Sequence, residues 1–290
     1  MIPRRRFLAI TAAALAVPGG GRAASWQGRA LGAEVSITIR GGGALAARAI
    51  EATRQIIART ERLFSVYDAD SSLNRLNRTG RLDAPDPWFL ALVQSADAAH
   101  RLTEGRFDPS VQPLWRALAT GGDIGAARAA VGWTRVRFDA RRITLAPGQA
   151  LTFNGIAQGF ATDRVAEALT GLGLRDVLVN IGEYRGQGGP WQLGLDDPAH
   201  GPLGQITLTD GAVATSSPGA LAIGDGSHIL LPGASPLWST VSVSARNATL
   251  ADSLSTGLCL APRALVERIA SQEDVQAIRL VDRAGDLTTL

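Results

Sequence analysis

Three oxygen-bearing side chains lie close together late in the sequence, at Asp252, Ser255 and Thr256. Asp252 and Thr256 are four residues apart, so on a helix they share one face, and Ser255 lies beside them. Carboxylate and hydroxyl oxygens are ligands for hard cations, so this spacing favours a cation site. Alternatively, Asp252 only stabilises the first turn of the helix as an anion. A leucine stripe that can anchor the helix lies on another face, at Leu250, Leu254 and Leu258.

A glycine-rich segment, 152–163, leads into a predicted helix and offers backbone groups to a ligand. Bare N–H groups at a helix start can hold a phosphate, and Gly155 lets its carbonyl approach a cation closely. The spacing matches neither a P-loop nor G-x-G-x-x-G, so standard nucleotide-binding folds are not indicated. The alternative is a tight turn needed only for packing. The segment 182–186 follows a predicted strand and is a candidate to line the same cleft.

Two polar segments could contact a flat ring or a nucleotide. The first, 64–77, contains Tyr67, which could stack on a base or a flavin; an ordinary loop at a helix end is the alternative. The second, 103–115, has a glycine and two prolines that fix a loop, in which Asp108 offers an acceptor to an amine or hydroxyl. In the alternative, Asp108 bonds its own backbone in a turn.

The elements that would position these segments follow from hydrophobic spacing. Helices are predicted over 43–64, 87–103, 123–130, 156–172, 250–258 and 262–271, and residues 65–81 are predicted to be a polar loop. Strands are predicted over 34–39, 176–181, 191–195, 204–209, 212–216, 239–245, 275–281 and 286–289. Helices and strands mix without regular alternation. We therefore expect an α+β fold, with mixed sheets packed against helices in one compact catalytic unit.

The composition excludes several kinds of chemistry. All 29 basic residues of the 290-residue chain are arginine, so no Schiff-base or P-loop lysine is present. Cys259 is the only cysteine, which excludes an intramolecular disulfide and a zinc site with several cysteines. The three histidines lack metal-ligand spacing, so any metal should have oxygen ligands, as Mg²⁺ or Ca²⁺ does. The net charge is only +3, and we expect no nucleic-acid partner.

The N-terminus has the pattern of an export signal. Three arginines at 4–6 precede an apolar run over 9–17 and small residues at 23–24. The order Arg-Arg-x-Phe-Leu is typical of a twin-arginine signal. A membrane anchor is the alternative, but the apolar run is short for a bilayer span. We expect a signal peptide over 1–24, a mature domain over 25–290 without a stable membrane span, and a periplasmic location.

Taken in order over residues 31–260, these segments resemble the FAD:protein FMN transferase family, the ApbE-type flavin transferases. The motifs that carry the resemblance are Phe-Ser-x-Tyr, Thr-x-Gly-x-Phe-Asp-Pro-Ser-Val-x-Pro-Leu-Trp, Gly-Ile-Ala-x-Gly-Phe-Ala-x-Asp, Ala-Thr-Ser, Ser-His-Ile-x-x-Pro and Ala-Asp-x-x-x-Thr. Their order and spacing are specific together, although no single motif is.

The resemblance implies an ApbE-like fold that binds FAD and Mg²⁺. It also implies that the protein cleaves the pyrophosphate of FAD, releases AMP and attaches FMN to a threonine or serine hydroxyl of a partner protein. Because this chain is expected to be exported, the acceptor would be an exported or membrane-bound protein.

The same resemblance assigns roles by position. The metal ligands would be Asp252, Thr256 and the backbone carbonyl of Gly155, with Ser255 where some members carry an aspartate ligand. The residues that would contact FAD are Leu31, Tyr67, Arg106, Phe107, Asp108, Thr152, Gln158 and Leu230. His228 matches a histidine associated with catalysis and would be the base; a strand histidine bonded to backbone is the alternative.

Several positions depart from the family pattern. Thr152 stands at a common aspartate position, and Gln158 replaces a frequent lysine or glutamate. Leu231 replaces the aspartate of His-Ile-x-Asp-Pro, and Ser217 replaces the glycine of Thr-Ser-Gly. These departures keep two alternatives open: a flavin-binding chaperone or carrier without turnover, and an FAD pyrophosphatase that yields FMN and AMP.

Overall fold

The computed structural model describes residues 23–41, 43–224 and 226–290. Its helices are α1 (Ala46–Phe64), α2 (Ser72–Thr79), α3 (Pro87–Leu102), α4 (Gln112–Thr120), α5 (Ile124–Ala130), α6 (Ala157–Gly171), α7 (Ala248–Leu258) and α8 (Arg263–Ala270). Its strands are β1 (Ala24–Ala30), β2 (Ala33–Ile39), β3 (Arg81–Asp83), β4 (Arg137–Phe138), β5 (Arg142–Thr144), β6 (Val177–Ile181), β7 (Tyr184–Gln187), β8 (Trp191–Asp197), β9 (Gly201–Leu208), β10 (Gly211–Ser216), β11 (Ala222–Ile223), β12 (Gly226–Ser227), β13 (Thr240–Ala245), β14 (Val275–Val281) and β15 (Leu287–Thr289).

An eight-stranded sheet forms the centre of the molecule, in the order β1-β2-β6-β7-β10-β13-β14-β15. Its pairings are antiparallel. In β2, Val35, Ile37 and Ile39 are buried and alternate with more exposed residues, because successive side chains of a strand face opposite sides of the sheet. β13 lies inside the sheet and is buried at all six positions. This sheet holds the candidate functional segments in register.

Helices α6 and α7 pack together and carry the segments with the strongest chemical signal. α6 is buried over 157–163, so the glycine-rich segment runs into the interior. α7 starts after Asn247, whose side chain accepts a hydrogen bond from the Leu250 amide as an N-cap. The predicted leucine stripe anchors α7, since Leu254 and Leu258 are fully buried in an apolar cluster with β13 and β14.

The sequence predicted most of the long elements within a few residues. The helices corresponding to α1, α3, α5, α6, α7 and α8, the strands corresponding to β2, β6, β8, β9, β10 and β13, and the closing β14–β15 hairpin are confirmed. The polar loop predicted over 65–81 is wrong in part, because it contains α2. Ser71 caps α2, and the helix buries Leu73 and Leu76, three residues apart.

The export prediction falls largely outside the described part of the chain. Residues 1–22 of the predicted signal peptide are not among the described residues, and Ala24 is already the first residue of β1. Within the described residues, no helix is both long enough and apolar enough to cross a membrane.

Candidate functional site

A cleft of about 420 Å³ opens at a notch in the central sheet. β10 pairs with β7 only as far as Val213, opposite Tyr184, whereas its pairing with β13 continues to Ser216. The last three residues of β10 therefore have a strand on one side only. The turn between β6 and β7 faces this gap, and Glu183 accepts the Thr215 amide at 3.3 Å. The volume is within the range of small-molecule sites.

The sheet notch and the surrounding elements gather most of the predicted site residues. Ten of them line the cleft: Arg106, Phe107, Asp108, Thr152, Gly155, Gln158, His228, Leu230, Asp252 and Thr256. The glycine segment at 182–186 contributes to the same cleft through Gly182, Glu183 and Tyr184, as expected.

The junction of α6 and α7 lines the cleft through Gln158, Asp252 and Thr256. Gly159 of α6 donates its amide to Asp252 Oδ2 at 2.9 Å. A Cβ on Gly159 would lie 2.7 Å from the carbonyl carbon of Ala248 and 2.8 Å from Asp252 Cβ, so only glycine allows this close approach. Further along α6, Asp163 accepts the amides of Ala248 and Thr249, both at 2.9 Å, and pairs with Arg185. The start of α7 is thus bonded to the side of α6.

Asp252, Thr256 and Gly155 converge at this junction. A Cβ on Gly155 would lie 2.8 Å from Thr256 Oγ1, which places the backbone of Gly155 directly against the threonine hydroxyl. Thr256 Oγ1 is also 3.3 Å from Ser216 Oγ on β10. Ser255 is fully buried, outside the cleft lining; its hydroxyl lies 2.8 Å from Ser216 Oγ and donates to the Asp252 carbonyl. Its assignment as a ligand stays a prediction.

Two buried carboxyl groups face this part of the cleft. Burial raises the pKa of Asp252 to about 7, although the Gly159 amide opposes the shift, and Asp163 adds to it. Burial, and then the nearby Asp252 carboxylate, raise the pKa of Glu183 well above its usual range. Among the described residues, Arg185 pairs with Asp163 rather than with either of them. No described arginine forms a salt bridge with either carboxyl group, and a bound divalent cation would neutralise such a buried acidic pair.

The donor set fits a hard, oxygen-ligated cation. In the described part of the chain, no group of three or more His, Cys, Asp or Glu side chains comes together in a way that could hold a metal. A cation here would have to combine the Asp252 carboxylate with the Thr256 hydroxyl and a backbone oxygen. Such oxygen ligands, completed by water and substrate phosphates, suit Mg²⁺.

The segment 106–109 also lines the cleft, with Phe107 against Gly257 of α7, and it is held by hydrogen bonds that Asp108 accepts. Asp108 Oδ1 accepts the amide and the hydroxyl of Ser110, at 2.8 and 2.6 Å, and Oδ2 accepts the Trp133 amide at 3.2 Å. Asp108 therefore bonds its own turn, as the alternative interpretation expected. It also lines the cleft, so both descriptions apply to it.

His228 lines the cleft in the irregular segment after β12. Its amide donates to the Leu221 carbonyl at 3.2 Å, and its Nδ1 lies 3.1 Å from the same oxygen. A carbonyl oxygen can only accept, so Nδ1 carries a proton, and in the neutral form of the ring the lone pair is on Nε2. The backbone bond of the alternative interpretation is present, and it fixes the tautomer that a base needs.

Two predicted flavin contacts lie away from the cleft lining. Leu31 occupies the turn between β1 and β2 at φ +50°; its amide donates to Glu61, and its carbonyl accepts Gln158 Nε2 at 3.4 Å. Tyr67 is 67% exposed on the loop before α2. The neighbours of Leu31 at Gly32 and Ala33 do line the cleft. Both assignments stay predictions.

Some cleft residues had not been assigned a role from the sequence. Glu183 is a buried acid at the end of a strand, a signal that was present but hidden in a glycine cluster. Thr215 and Ser216 belong to the Ala-Thr-Ser motif, and they reach the cleft because the sheet is notched beside them. Their position in the cleft follows from where the pairing of β7 with β10 ends and could not be derived from the sequence.

Comparisons with known proteins agree with this architecture. The family model described as the ApbE family matches residues 31–279. The structure superposes on the flavin transferase ApbE from Vibrio cholerae with a TM-score of 0.81 at 22% identity, covering 93% of this chain and 97% of that one. The apo form of Pseudomonas stutzeri flavinyl transferase ApbE gives a TM-score of 0.81 at 26% identity, covering 93% and 94%. The fold is thus the predicted ApbE-like α+β fold.

Curated relatives give the same family. An FAD:protein FMN transferase of Rhodobacter capsulatus is 29% identical over 243 residues, which cover 74% of this chain and 46% of the relative. One from Klebsiella pneumoniae strain 342 is 30% identical over 180 residues, 56% of this chain and 57% of the relative. The chain spans about half the length of the curated relatives it matches. The chain belongs to the ApbE family.

Proposed function

We propose that this protein transfers FMN from FAD to a threonine or serine hydroxyl of an exported or membrane-bound partner, in a Mg²⁺-dependent reaction that releases AMP. The observation that carries the proposal is the buried Asp252–Glu183 pair beside Gly155 and Thr256, in the cleft of a chain whose curated relatives are named FAD:protein FMN transferase. A cleft with buried acids at one end and His228 on its rim combines a cation site with a base.

The residues present fit Mg²⁺. Asp252, Thr256 and the Gly155 carbonyl would hold it, with Gly159 orienting the Asp252 carboxylate through its amide. When bound, the cation would neutralise the charge that develops on phosphoryl oxygens during displacement. Glu183 keeps the β6–β7 turn close to β10 and places a second buried carboxyl group beside Asp252.

His228 would accept the proton of the acceptor hydroxyl at Nε2, because Nδ1–H is directed to Leu221 O. The hydroxyl oxygen forms a bond to the phosphorus of the FMN half, and the bond from that phosphorus to the oxygen of AMP breaks. The proton goes to the imidazole, and the electron pair of the broken bond leaves with AMP. A threonine hydroxyl is a weak nucleophile, so a positioned base assists this step.

The test is to incubate the purified chain with FAD, MgCl₂ and an exported-protein fraction, and to measure AMP and covalent in-gel flavin fluorescence. Transfer gives both signals, and both disappear with EDTA. AMP without a fluorescent band would indicate a pyrophosphatase. FAD binding without either product would indicate a carrier, as the departures at Thr152, Gln158 and Leu231 would allow.

We further propose that the chain is exported to the periplasm by the twin-arginine route, which the pattern at 4–8 supports. Replacing Arg4 and Arg5 together by lysine preserves the charge but removes the arginine pair. We expect the precursor to accumulate in the cytoplasm. Unchanged recovery in the periplasm would contradict the twin-arginine route and leave a general secretory signal.

A further inference from the structure

A chain of three hydrogen-bonded side chains runs from the interior to the cleft at Ser217. Asp197 is 2% exposed at the end of β8. Its Oδ2 accepts the Thr240 hydroxyl at 2.7 Å, and Thr240 Oγ1 lies 2.6 Å from Ser217 Oγ. Thr240 is fully buried, whereas Ser217 lines the cleft. These hydrogen bonds thus connect a buried carboxylate to a hydroxyl in the cleft.

The direction of these bonds follows from counting protons. A hydroxyl has one proton to donate, and an ionised carboxylate can only accept. Thr240 uses its proton on Asp197, so the bond between the two hydroxyls must be donated by Ser217. The Ser217 oxygen then keeps only acceptor capacity for a further partner. In the part of the chain that the structure describes, no other residue donates to that oxygen.

The Asp197 carboxyl group, at the buried end of these hydrogen bonds, is held as an anion. Asp197 Oδ1 accepts the amides of Ala199 and His200, at 2.8 and 3.0 Å. Burial alone would raise the pKa of Asp197, but the hydrogen bonds from Thr240, Ser239 and these two amides outweigh it, and the pKa lies below its usual value. The carboxylate therefore stays an acceptor at neutral pH, and the bond direction does not reverse.

We propose that Ser217 is a specificity residue that accepts a hydrogen bond from an N–H or O–H group of bound FAD, with Thr240 and Asp197 as its positioning residues. A ligand group that can only accept, such as a phosphate oxygen or a ring carbonyl, would meet a lone pair at this position and be disfavoured. This inference rests on the proposed function, because FAD is the ligand that function supplies.

The test is the dissociation constant, measured with MgCl₂ for FMN and AMP by titration, and for FAD by stopped-flow fluorescence, which reads binding before turnover. Ser217→Ala removes the acceptor, and Ser217→Gly installs the residue of the family pattern. We expect both to raise the Kd of FAD by about 3- to 10-fold, the usual worth of one neutral hydrogen bond. The same factor should appear for only one of FMN and AMP, which identifies the half that donates. Ser95→Ala on α3, whose hydroxyl bonds the Ala91 carbonyl away from the cleft, should leave all three constants unchanged.

The role of Thr240 is tested by a double-mutant cycle. Thr240→Ser keeps the hydroxyl and should bind FAD like the wild type. Thr240→Val removes the hydroxyl that bonds Asp197 and Ser217. In the Ser217→Ala background this substitution should add no further loss of FAD affinity, because Thr240 acts through Ser217. An unchanged FAD Kd in Ser217→Ala, or a defect only in transfer at saturating FAD, would overturn the inference. Failure of the wild type to bind FAD would instead refute the proposed function.

Discussion

The two sides of the cleft hold their functional side chains in different ways. The helical wall, made of α6, α7 and the end of β10, places Asp252 and Thr256 on a buried helix whose start is bonded to its neighbour by Asp163. The loop wall comprises residues 217–238, of which the structure does not describe residue 225. It contains His228 and Leu230. Its regular structure is a 3-10 helix over Pro218–Ala220, two residue pairs between β11 and β12 and one bridge from Leu231 to Ala234.

The difference shows which parts of the site depend on packing. In the helical wall, Gly159 and Gly155 bring backbone and side chains so close that small displacements would separate the candidate ligands. The loop wall is attached by separate hydrogen bonds, such as Leu237 N to Cys259 O and Trp238 Nε1 to Ala261 O, and by Ile229, Leu231 and Trp238, which pack on the apolar cluster of α7, β13 and β14. We therefore expect variants in the helical wall to affect cation binding and folding together, and variants in the loop wall to affect FAD affinity or turnover with little loss of stability.

The largest expected effect is that of Asp252→Asn. The amide keeps an oxygen that can accept the Gly159 N–H, so the fold should persist, while the charged candidate ligand is lost. We expect Mg²⁺-dependent AMP release to fall by at least about 10³-fold, since metal stabilisation of phosphoryl charge is worth several kcal/mol. The matched control is Ser253→Ala, next to Asp252 on α7, whose hydroxyl bonds only the Thr249 and Leu250 carbonyls outside the cleft lining and whose loss should leave turnover unchanged. Normal turnover in Asp252→Asn would show that Asp252 is only a helix-start anion.

In the loop wall, His228→Ala should lower FMN transfer by about 10²–10⁴-fold, the usual contribution of one general base. FAD affinity and the unfolding midpoint should change little, because the other contacts of the cleft remain. Single-turnover transfer at saturating FAD, measured beside the FAD dissociation constant, separates the two effects. If only affinity falls and single-turnover transfer is intact, His228 is a binding residue and the base lies elsewhere.

The packing of the helical wall is tested by Gly159→Ala. Its Cβ would overlap Ala248 and Asp252 Cβ, so α7 must move away from α6. We expect a loss of about 3 kcal/mol or more in the free energy of unfolding, measured by urea denaturation. Gly171→Ala, on the same helix with nothing within 4 Å of its Cβ, should be neutral or stabilising by up to about 1 kcal/mol. Equal behaviour of the two variants would contradict the close α6–α7 contact.

A smaller effect is expected from pH. The pKa of Asp252 is about 7 in the fold against 3.8 for the free side chain, and that of Glu183 is also raised, so the folded state binds these protons more tightly. The stability they contribute is present below about pH 4 and lost as pH rises through about 7. We expect the Tm of the metal-free protein to fall between about pH 5 and 8. We expect Mg²⁺ to raise the Tm more at pH 8 than at pH 5.

The control for this pH effect is Asp252→Asn, which should flatten the decrease because one of the two titrating groups is gone. The measurement is differential scanning calorimetry in EDTA and in MgCl₂ at both ends of that pH range. A Tm that rises with pH in the metal-free wild type, or a Mg²⁺ effect that is larger at the acidic end, would contradict the burial of the acidic pair.

The sequence predicted the helical wall better than the rest of the site. The i,i+4 spacing of Asp252 and Thr256 is a local property of one helix, so it could be predicted without knowing the fold. Glu183 enters the cleft only because β7 and β10 part beside it, which is a property of strand pairing. α2 was missed because its apolar signal consists of Leu73 and Leu76 within a polar segment. Ser255 lies on the same helix but is buried outside the cleft lining. Residue spacing alone does not distinguish it from the residues that line the cleft.

Counting both products of one reaction is the most direct test of Mg²⁺-dependent FMN transfer. The purified chain, FAD, MgCl₂ and a purified acceptor are mixed, AMP is measured by chromatography, and attached FMN is measured by intact-protein mass spectrometry. We expect one AMP for each FMN attached to the acceptor, with both products absent in EDTA and in Asp252→Asn. Transfer that proceeds undiminished in EDTA, or in Asp252→Asn, would contradict the proposed Mg²⁺-dependent transfer.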